Sequence, residues 1–384
     1  MNQHTRLDTA VIPFIDVAAQ RRRLGPLIDQ AMARVLSHCQ FIMGPEVEAF
    51  ESALAAFCGA SYAIGVSSGT DALMLALLAL RIGPGDAVFC PSFTFCATAE
   101  AAALVHATPI LVDVDATTFN MEPESLKRAI KTARELGLRP KVVIPVDLFG
   151  LPADYDAIST IAVAEHLAVI GDAAQSFGAT YRERRVGTLA PVTITSFFPA
   201  KPLGCYGDGG AVLTDDDELA AVVKSLRVHG QGCDRYDNVR IGLAARLDTI
   251  QAAVLIEKLK IFPEEIEARE RVARRYHAGL NDVAIVPRAT EGYASVWAQY
   301  TIRLASGRRD GLAAALKRQG IPTAIYYPKP LHRQVAYRDC PIADGGLAVS
   351  DALAEEVLSL PIHAYLDEAT QDRIVDAVRS ALQS

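Results

Sequence analysis

The chain has 384 residues, a formal net charge of -7 and a pI near 5.7. This length exceeds the usual size of a single hydrophobic core, so we expect two domains. Hydrophobic residues make up 51% of the chain and charged residues 22%. These values exclude a disordered chain and predict much buried surface, part of it in a homo-oligomer interface. The acidic balance argues against a nucleic-acid partner.

The seven cysteines are odd in number, widely spread and never in a C-x-x-C pair. This distribution argues against a disulfide framework or a zinc knuckle, so we expect a reducing, cytoplasmic environment. The N-terminus lacks the apolar core of a signal peptide, and the most apolar stretch, 72–80, is too short to span a bilayer. We therefore expect no membrane association. The eight histidines form no i, i+4 pair, so we expect no metal.

Between about residues 62 and 214, short β-branched runs alternate with amphipathic helical patterns. The runs are YAIGV, AVFC, PILVDV, KVVIPV and LAVIG. Such alternation predicts an α/β fold of βαβ units, with a mostly parallel sheet flanked by helices. Ligands of such sheets bind at the carboxyl ends of the strands. We therefore look for chemistry just after each run.

After residue 245 the pattern changes to one long helical stretch, from LDTIQAAVLIEKLKIF through EEIEARERVARRYHAGL. The stretches SVWAQYTIRLA, RRDGLAAALKRQG and PTAIYY follow, and a helical pattern runs to the C-terminus. We predict a large ligand-binding domain over residues 1–250, which includes an N-terminal helical segment. A smaller C-terminal α+β domain is predicted over residues 251–384.

Small hydroxylic residues connect the first predicted strand to the next helix, in the segment GVSSGTDAL. Ser67, Ser68, Gly69 and Thr70 lie where free backbone N–H groups of a buried helix start would face an anion, so a phosphate site is one interpretation. The alternative is an ordinary helix cap, in which Asp71 favours the helix dipole.

Asp172 follows a buried strand directly, in LAVIGDAAQSFGA, among small and apolar residues. A buried carboxylate needs a cationic partner, because burying the charge alone is costly. The protonated pyridine nitrogen of pyridoxal 5'-phosphate is such a partner, and the ion pair would keep the ring an electron sink. A turn or cap aspartate is the alternative.

Lys201 follows an apolar strand in ITSFFPAKPLGCYGDGG and precedes several glycines. A lysine that forms a Schiff base must be neutral to attack, and a desolvated site lowers its pKa. The glycines match neither G-x-G-x-x-G nor the Walker pattern, which disfavours dinucleotide and P-loop sites. Lys329, in YYPKPLH, is the nearest rival, but only Lys201 has the aspartate upstream.

Seven segments in order resemble the DegT/DnrJ/EryC1/StrS family of pyridoxal phosphate-dependent nucleotide-sugar aminotransferases. They are SSGTDAL, PSFTFCATAEA, DVDATTFNMEP, GDAAQSFGA, SFFPAKPLGCYGDGG, RVHGQ and RLDTIQAAVL. The resemblance covers nearly the whole chain. It implies the aspartate aminotransferase-like fold type I and a homodimer with each active site at the subunit interface.

The resemblance also implies roles for individual residues. Lys201 would hold the cofactor covalently and move the proton, and Asp172 would bind the pyridine nitrogen. The implied cofactor-binding residues are Ser68, Gly69, Thr70, Phe95, Asp172, Gln175, Ser196 and Lys201. The implied substrate-binding residues are His229, Gln231, Arg246, Tyr326, Tyr327 and His332. A plain core role for Phe95 and structural roles for His229 and His332 stay open.

One position departs from the family pattern. Similar enzymes commonly have Asn two residues before the Arg of RLD, where it reaches the cofactor phosphate of the neighbouring subunit. This chain has Ala244 there, in GLAARLD, and retains Arg246. One phosphate contact across the interface is therefore not expected.

The resemblance implies transfer of an amino group from L-glutamate, which becomes 2-oxoglutarate, to a nucleotide-linked keto sugar. FFPAKPLGCYGDGG resembles members that act at C3 of the hexose. The expected substrate is UDP-2-acetamido-2-deoxy-3-keto-glucose or its glucuronate, for cell-surface polysaccharide, lipopolysaccharide or lipid A precursors. Tyr326 stands where the uronate enzymes tend to have His.

Three alternatives stay open. The substrate could be a dTDP-linked 3-keto-6-deoxyhexose, the site of amination could be C4, or the chain could be a catalytically silent regulatory protein of the same fold. The dehydratases of the family have His in place of the lysine, so Lys201 argues against that branch.

Overall fold

The computed structural model describes residues 12–234 and 236–383. The helices are α1 (Val17–Leu24), α2 (Pro26–His38), α3 (Pro45–Cys58), α4 (Gly69–Ala79), α5 (Ala97–Leu104), α6 (Pro123–Glu135), α7 (Tyr155–Glu165), α8 (Asp217–Leu226), α9 (Thr249–Leu280), α10 (Arg309–Arg318), α11 (Ala348–Glu356) and α12 (Glu368–Gln383). The strands are β1 (Tyr62–Val66), β2 (Asp86–Pro91), β3 (Thr108–Val112), β4 (Arg139–Val143), β5 (Ala168–Asp172), β6 (Thr180–Tyr181), β7 (Arg184–Arg185), β8 (Val192–Ser196), β9 (Gly210–Thr214), β10 (Tyr293–Ala294), β11 (Tyr300–Arg303) and β12 (Val357–Leu360).

A seven-stranded sheet forms the centre of the molecule, in the order β1-β9-β8-β5-β4-β2-β3. The pairs from β8 to β3 are parallel, whereas β9 is antiparallel to both of its neighbours. Every residue of β2 and β9 is buried, as expected for a sheet covered on both faces. The predicted mostly parallel sheet flanked by helices is confirmed.

The direction of the strands brings distant segments to one edge of this sheet. Strands β1, β2, β5 and β8 all run the same way, and they end at Val66, Pro91, Asp172 and Ser196. The residues that follow these strands therefore share the carboxyl edge, where ligands of such sheets bind.

Helix α6 shows why the flanking helices lie where they do. Its buried residues recur at helical spacing, with Leu126, Ala129, Ile130 and Ala133 on one side. This apolar stripe packs onto the sheet, while charged side chains such as Lys127 remain in solvent. Helix α4, by contrast, is apolar almost all round, since it lies between the sheet and other helices.

Helix α9 connects two hydrophobic cores. Leu255 and Phe262, in its first half, pack in a core with α3, whereas Tyr276 and Leu280 belong to a second core with α10, α12 and the two-stranded sheet β11–β12. The predicted long helix is confirmed, although it contains Pro263, which removes one backbone hydrogen bond. The domain boundary at residue 250 stays a prediction, because α9 contributes to both cores.

None of the helices in the described parts of the chain has an apolar stretch long enough to cross a bilayer. Within the same residues, no group of three or more His, Cys, Asp or Glu side chains is arranged to hold a metal ion. The seven cysteines are all free thiols.

Candidate active site

The turn between β1 and α4 carries the predicted phosphate-binding residues. Ser68 caps α4, and its Oγ accepts a hydrogen bond from the Asp71 N–H at 3.0 Å. The Ser67 hydroxyl donates to the Asp71 carboxylate at 2.5 Å, which leaves Thr70 and the first N–H groups of the helix at the sheet edge. The helix-cap interpretation is therefore correct for Ser68, and it is compatible with anion binding by the remaining N–H groups.

Ser196 lies against this helix start from the end of β8. A Cβ atom added to Gly69 would lie 2.8 Å from the Ser196 Cβ. The absence of a side chain at Gly69 is thus what allows the two strand ends to approach. The backbone N–H groups of this helix start and the nearby Ser196 hydroxyl form a cradle suited to a phosphate group.

Asp172 is buried at the end of β5 and is held by neutral donors. Its Oδ2 accepts a hydrogen bond from the Thr98 hydroxyl at 2.9 Å, and its Oδ1 accepts one from the Ala174 N–H at 3.1 Å. Burial raises the pKa of Asp172, and the positive charge of Lys201 opposes that rise. A carboxylate in such surroundings favours a cationic ligand, as the pyridinium nitrogen of the predicted cofactor would be.

Lys201 lies partly buried in the loop that follows β8. Burial lowers the pKa of its amine, and the nearby Asp172 carboxylate only partly offsets the effect. A lowered pKa increases the neutral fraction, which is the form that attacks a carbonyl carbon. The structure thus brings the two predicted catalytic residues into electrostatic contact. Asp172 ends β5 and Lys201 follows β8, and these two strands are adjacent in the sheet.

The loop carrying Lys201 is fastened to α9. The buried Lys258 ammonium donates a hydrogen bond to the Gly204 carbonyl at 2.6 Å and lies 4.3 Å from the centroid of the Tyr206 ring. The Gln251 side-chain carbonyl accepts a hydrogen bond from the Tyr206 N–H at 2.8 Å. These contacts stabilise the backbone that follows Lys201 in one conformation.

Gln175 and Phe95 flank the space beside Asp172. The Gln175 carbonyl accepts a hydrogen bond from the Phe149 N–H at 2.8 Å, and its amide donates to the Tyr327 hydroxyl at 3.2 Å. Phe95 is 55% exposed, and its ring centroid lies 6.5 Å from that of Tyr327. The alternative of a plain core residue is therefore wrong for Phe95, which presents an apolar face at the sheet edge.

Tyr326 and Tyr327 extend the wall of this space. The ring centroid of Tyr326 lies 6.3 Å from that of Phe14 in the N-terminal segment. Burial raises the pKa of both tyrosines, so both hydroxyls remain protonated at neutral pH. His332, five positions further along, bonds Ser92 and Asp351 instead of facing open space.

The remaining predicted residues lie in the segment 228–246. Gln231 pairs with Asn238 and Val228 with Ala244, so the segment folds back on itself. His229 is exposed, and the hydrogen bonds of His229 and Gln231 within the described residues stay inside the segment and with α8. In a single chain they are therefore not brought together with Lys201.

Arg246 and Ala244 lie where this segment returns to the sheet. Arg246 pairs with Val66 at the end of β1, and the Ala245 carbonyl accepts a hydrogen bond from the Ser67 N–H at 3.2 Å. Arg246 thus lies beside the predicted phosphate turn. Ala244 is exposed there and has no hydrogen-bonding side chain.

The sequence of the protein matches a known family over most of its length. Residues 23–379 match the model of the DegT/DnrJ/EryC1/StrS aminotransferase family. The chain belongs to this family. A relative from Pseudomonas aeruginosa, named UDP-2-acetamido-2-deoxy-3-oxo-D-glucuronate aminotransferase, is 48% identical over 94% of this chain and 97% of its own length. A relative from Acidithiobacillus ferrooxidans, named UDP-N-acetyl-3-dehydro-alpha-D-glucosamine 3-aminotransferase, is 40% identical over 97% of this chain and 98% of its own.

Solved structures agree with this assignment. A DegT DnrJ EryC1 StrS aminotransferase from Brucella abortus is 52% identical, with a TM-score of 0.94 over 96% of this chain and 99% of its own. NtdA from Bacillus subtilis, solved with bound cofactor PMP, is 30% identical, with a TM-score of 0.89 over 97% of this chain and 85% of its own. The predicted family, fold type and class of pyridoxal phosphate-dependent aminotransferase are confirmed.

Two further residues of this DegT-family site were not predicted from the sequence. Thr98 lies in the first turn of α5, 74 positions before the Asp172 it bonds, and Lys258 lies 54 positions after Gly204. The sequence pattern that carries Phe95 continues to Thr98 and offered a signal, since a hydroxyl stands out in a helix composed mostly of alanine. Lys258 gave none, because a lysine in an amphipathic helix is usually in solvent.

Proposed function

We propose that the protein transfers an amino group from L-glutamate to C3 of a UDP-linked 2-acetamido-2-deoxy-3-keto sugar. The observation that carries the proposal is the pair of Lys201 and Asp172 at the carboxyl edge of the sheet, beside the phosphate cradle of Gly69 and Ser196. The names of the 48% and 40% identical relatives support the UDP-linked substrate and the C3 position. These two substrates differ at C6, as carboxylate or hydroxymethyl.

The side chains divide the chemistry between them. When bound, the cofactor supplies the electron sink that makes the substrate Cα–H acidic. Lys201, as a neutral amine, would hold the cofactor covalently, and its freed amine would accept the substrate proton and return it. Asp172 would keep the pyridine nitrogen protonated. Ser68, Gly69, Thr70 and Ser196 would hold the phosphate, while Gln175 and Phe95 would flank the ring.

Substrate residues are proposed from both subunits of a homodimer. Tyr326 and Tyr327 line the site in the same chain, whereas His229 and Gln231 lie on a segment that does not reach its own Lys201. That segment exposes Val239 (54%) and Ile241 (96%). Apolar side chains left this exposed mark an interaction surface, and a second copy placed there would bring His229 and Gln231 towards the neighbouring site, whereas Arg246 lies beside the phosphate turn of its own chain.

We also propose L-glutamate as the amino donor and the cytoplasm as the location of the protein. Glutamate follows from the family resemblance. The cytoplasm is supported by the seven free thiols, since secreted proteins with many cysteines usually pair them.

The first test is the absorbance of the purified protein with pyridoxal phosphate, before and after L-glutamate. We expect a visible band that glutamate converts to the pyridoxamine form. Lys201→Ala should lose the covalent attachment, and its rate of transamination should fall by at least about 10²-fold. Lys329→Ala is the matched control and should behave as wild type. An unchanged band in Lys201→Ala would overturn the assignment.

The second test uses keto sugars with the pyridoxamine form. UDP-2-acetamido-2-deoxy-3-keto-glucose and its glucuronate should restore the visible band, and the ratio of their kcat/KM values identifies the preferred C6 state. Restoration only by a dTDP-linked sugar or by a 4-keto sugar would support those alternatives instead. A protein that never binds the chromophore would be the silent regulatory form.

A further inference from the structure

Both ring nitrogens of His332 are already engaged within the chain. Nδ1 lies 2.7 Å from the Ser92 hydroxyl oxygen, and Nε2 lies 3.0 Å from the Asp351 carboxylate. Only 9% of the side chain is exposed. The ring therefore has no nitrogen left for a hydrogen bond to a substrate, which is the role that the family resemblance suggested.

Ser92 connects this histidine to the turn that carries Phe95. It follows β2 directly, and its hydroxyl oxygen also accepts a longer hydrogen bond from the backbone N–H of His332 at 3.3 Å. Its carbonyl accepts a hydrogen bond from the Leu331 N–H at 2.8 Å. Ser92 is fully buried, so it cannot touch a ligand itself.

Asp351 is held in place from the other side. The Asp113 carboxylate, beyond β3, accepts hydrogen bonds from the N–H groups of Val349 and Ser350 at 3.0 and 2.8 Å, which fixes the first turn of α11. Arg333 binds both oxygens of Asp351, at 3.0 and 2.7 Å. The position of the carboxylate that faces His332 is thus determined by two neighbours.

These contacts specify the tautomer of His332. A carboxylate can only accept, so Nε2–H donates to Asp351 and the bare Nδ1 accepts from the Ser92 hydroxyl. Burial lowers the pKa of His332, which favours this neutral form, although Asp351 acts in the opposite direction. The chain of bonds therefore runs in one direction, from Ser92 through His332 to Asp351.

We propose that His332 is a positioning residue that holds the Phe95 turn against the C-terminal segment containing Tyr327. The ring centroid of Tyr327 lies 6.1 Å from that of Phe93, and the Tyr327 hydroxyl accepts a hydrogen bond from the Gln175 amide. The hydrogen-bonded chain of Ser92, His332 and Asp351, here called the relay, thus sets the distance between the Phe95 turn and the segment of Tyr327. The link to cofactor binding rests on the proposed function.

A double-mutant cycle between Ser92→Ala and His332→Leu tests the relay. Each single variant should weaken pyridoxal phosphate binding about tenfold and reduce the visible circular dichroism of the bound cofactor. The double variant should lose no more than either single one, because both break the same link. Arg338→Ala, which removes an exposed arginine that contacts Asp339 and none of these three residues, is the matched control and should change Kd less than threefold.

The kinetics separate positioning from substrate contact. A positioning role slows the half-reaction with glutamate, which contains no sugar. If His332→Leu instead raised only KM for the sugar, with unchanged circular dichroism, or if Ser92→Ala had no effect, the proposal would be wrong. His332→Asn keeps an acceptor near the Nδ1 position and should restore part of the cofactor affinity. This variant also keeps the proposal testable if the leucine variant does not fold.

Hydrogen exchange gives a measurement that does not depend on the cofactor. In the cofactor-free protein, amides of residues 92–98 should exchange faster in Ser92→Ala and His332→Asn than in wild type, while those of β5 remain protected. This result would support the relay even if the wild-type protein bound no pyridoxal phosphate. A failure to bind pyridoxal phosphate would refute the proposed function and leave the relay unaffected. Equal exchange in all variants would refute the relay.

Discussion

Asp147 and Asp172 are neighbouring buried carboxylates with different surroundings. The Asp147 N–H donates to the Asp172 carbonyl at 3.0 Å, so the two residues lie on adjacent strand ends. The Asp147 side chain accepts hydrogen bonds from the Ser176 hydroxyl at 2.6 Å and from the Ala153 N–H at 2.8 Å. Burial raises the pKa of Asp147 to about 7, a larger effect than its hydrogen bonds can offset. Asp147 therefore holds backbone in place, and its charge depends on pH near neutrality.

The Asp147→Asn variant should reduce the loss of stability between acidic and neutral pH. Because the folded pKa is raised, the folded state keeps a proton that the unfolded chain releases. The stabilisation from that proton is complete below pH 3.8 and is lost as pH rises through about 7. Each pH unit in this window costs about 1.4 kcal/mol. Asn can accept from Ala153 and donate to Ser176, so the fold should be retained.

Chemical denaturation at pH 5 and pH 8 measures this effect. The free energy of unfolding should fall less between the two values in Asp147→Asn than in wild type. Asp282→Asn is a useful control, since Arg379 lowers the pKa of the exposed Asp282 and the removal of that carboxylate should not flatten the profile. A slope identical to wild type in Asp147→Asn would show that the carboxyl is ionised throughout.

At the scale of elements, β9 and the start of α4 approach closely beside the phosphate cradle. A Cβ atom on Gly210 would lie 2.5 Å from the carbonyl carbon and oxygen of Ser68. Both are backbone atoms, which cannot rotate away. The β1–α4 turn can therefore occupy its position only if residue 210 has no side chain.

Gly210→Ala should displace the β1–α4 turn and weaken cofactor binding. We expect a loss of roughly 1–3 kcal/mol in stability from the forced contact and a Kd for pyridoxal phosphate at least about tenfold higher. Fluorescence titration and thermal unfolding measure the two quantities. In the control Gly311→Ala, in the first turn of α10, an added Cβ meets nothing within 4 Å, and stability should rise by up to about 0.5–1 kcal/mol. An unchanged cofactor Kd in Gly210→Ala would contradict the proposed cradle.

At the scale of the whole molecule, exposed apolar side chains surround the active-site edge. Phe41, Ile42 and Met43 are 43 to 50% exposed, and Ile42 pairs with Asp248 close to the returning segment 228–246. Phe95 and Phe198, on the turns after β2 and β8, are more than half exposed. A grouping of this kind on one side of a molecule is typical of a subunit interface.

Ile241→Asp should therefore disrupt the proposed homodimer. The isoleucine is 96% exposed in a single chain, so the substitution should leave the fold of the subunit intact. A carboxylate buried in an interface without a partner costs several kcal/mol, so sedimentation velocity should detect monomers at micromolar concentration. Val163→Asp, 77% exposed on α7, is the matched control and should sediment as wild type. Identical sedimentation of Ile241→Asp would place the interface elsewhere.

Much of this molecule was predictable from local patterns. The alternation of strands and helices predicted the parallel sheet, because burial on both faces demands apolar runs. Lys201 and Asp172 were predictable because the sequence places each after a buried strand, and parallel strands carry their ends to one edge. Ser68 and Gly69 were predictable for the same reason.

Other features depended on contacts between residues far apart in the chain. Lys258 reaches Gly204, Thr98 reaches Asp172 and Ser92 reaches His332 only after α9, α5 and the C-terminal segment have packed. The sequence by itself determined the class of fold and the family, and it predicted the pair of Lys201 and Asp172, since these follow from periodicity and from local motifs along the chain. The tertiary structure alone decided which polar groups are already paired and which remain for ligands, because hydrogen bonds depend on distances that no local pattern encodes.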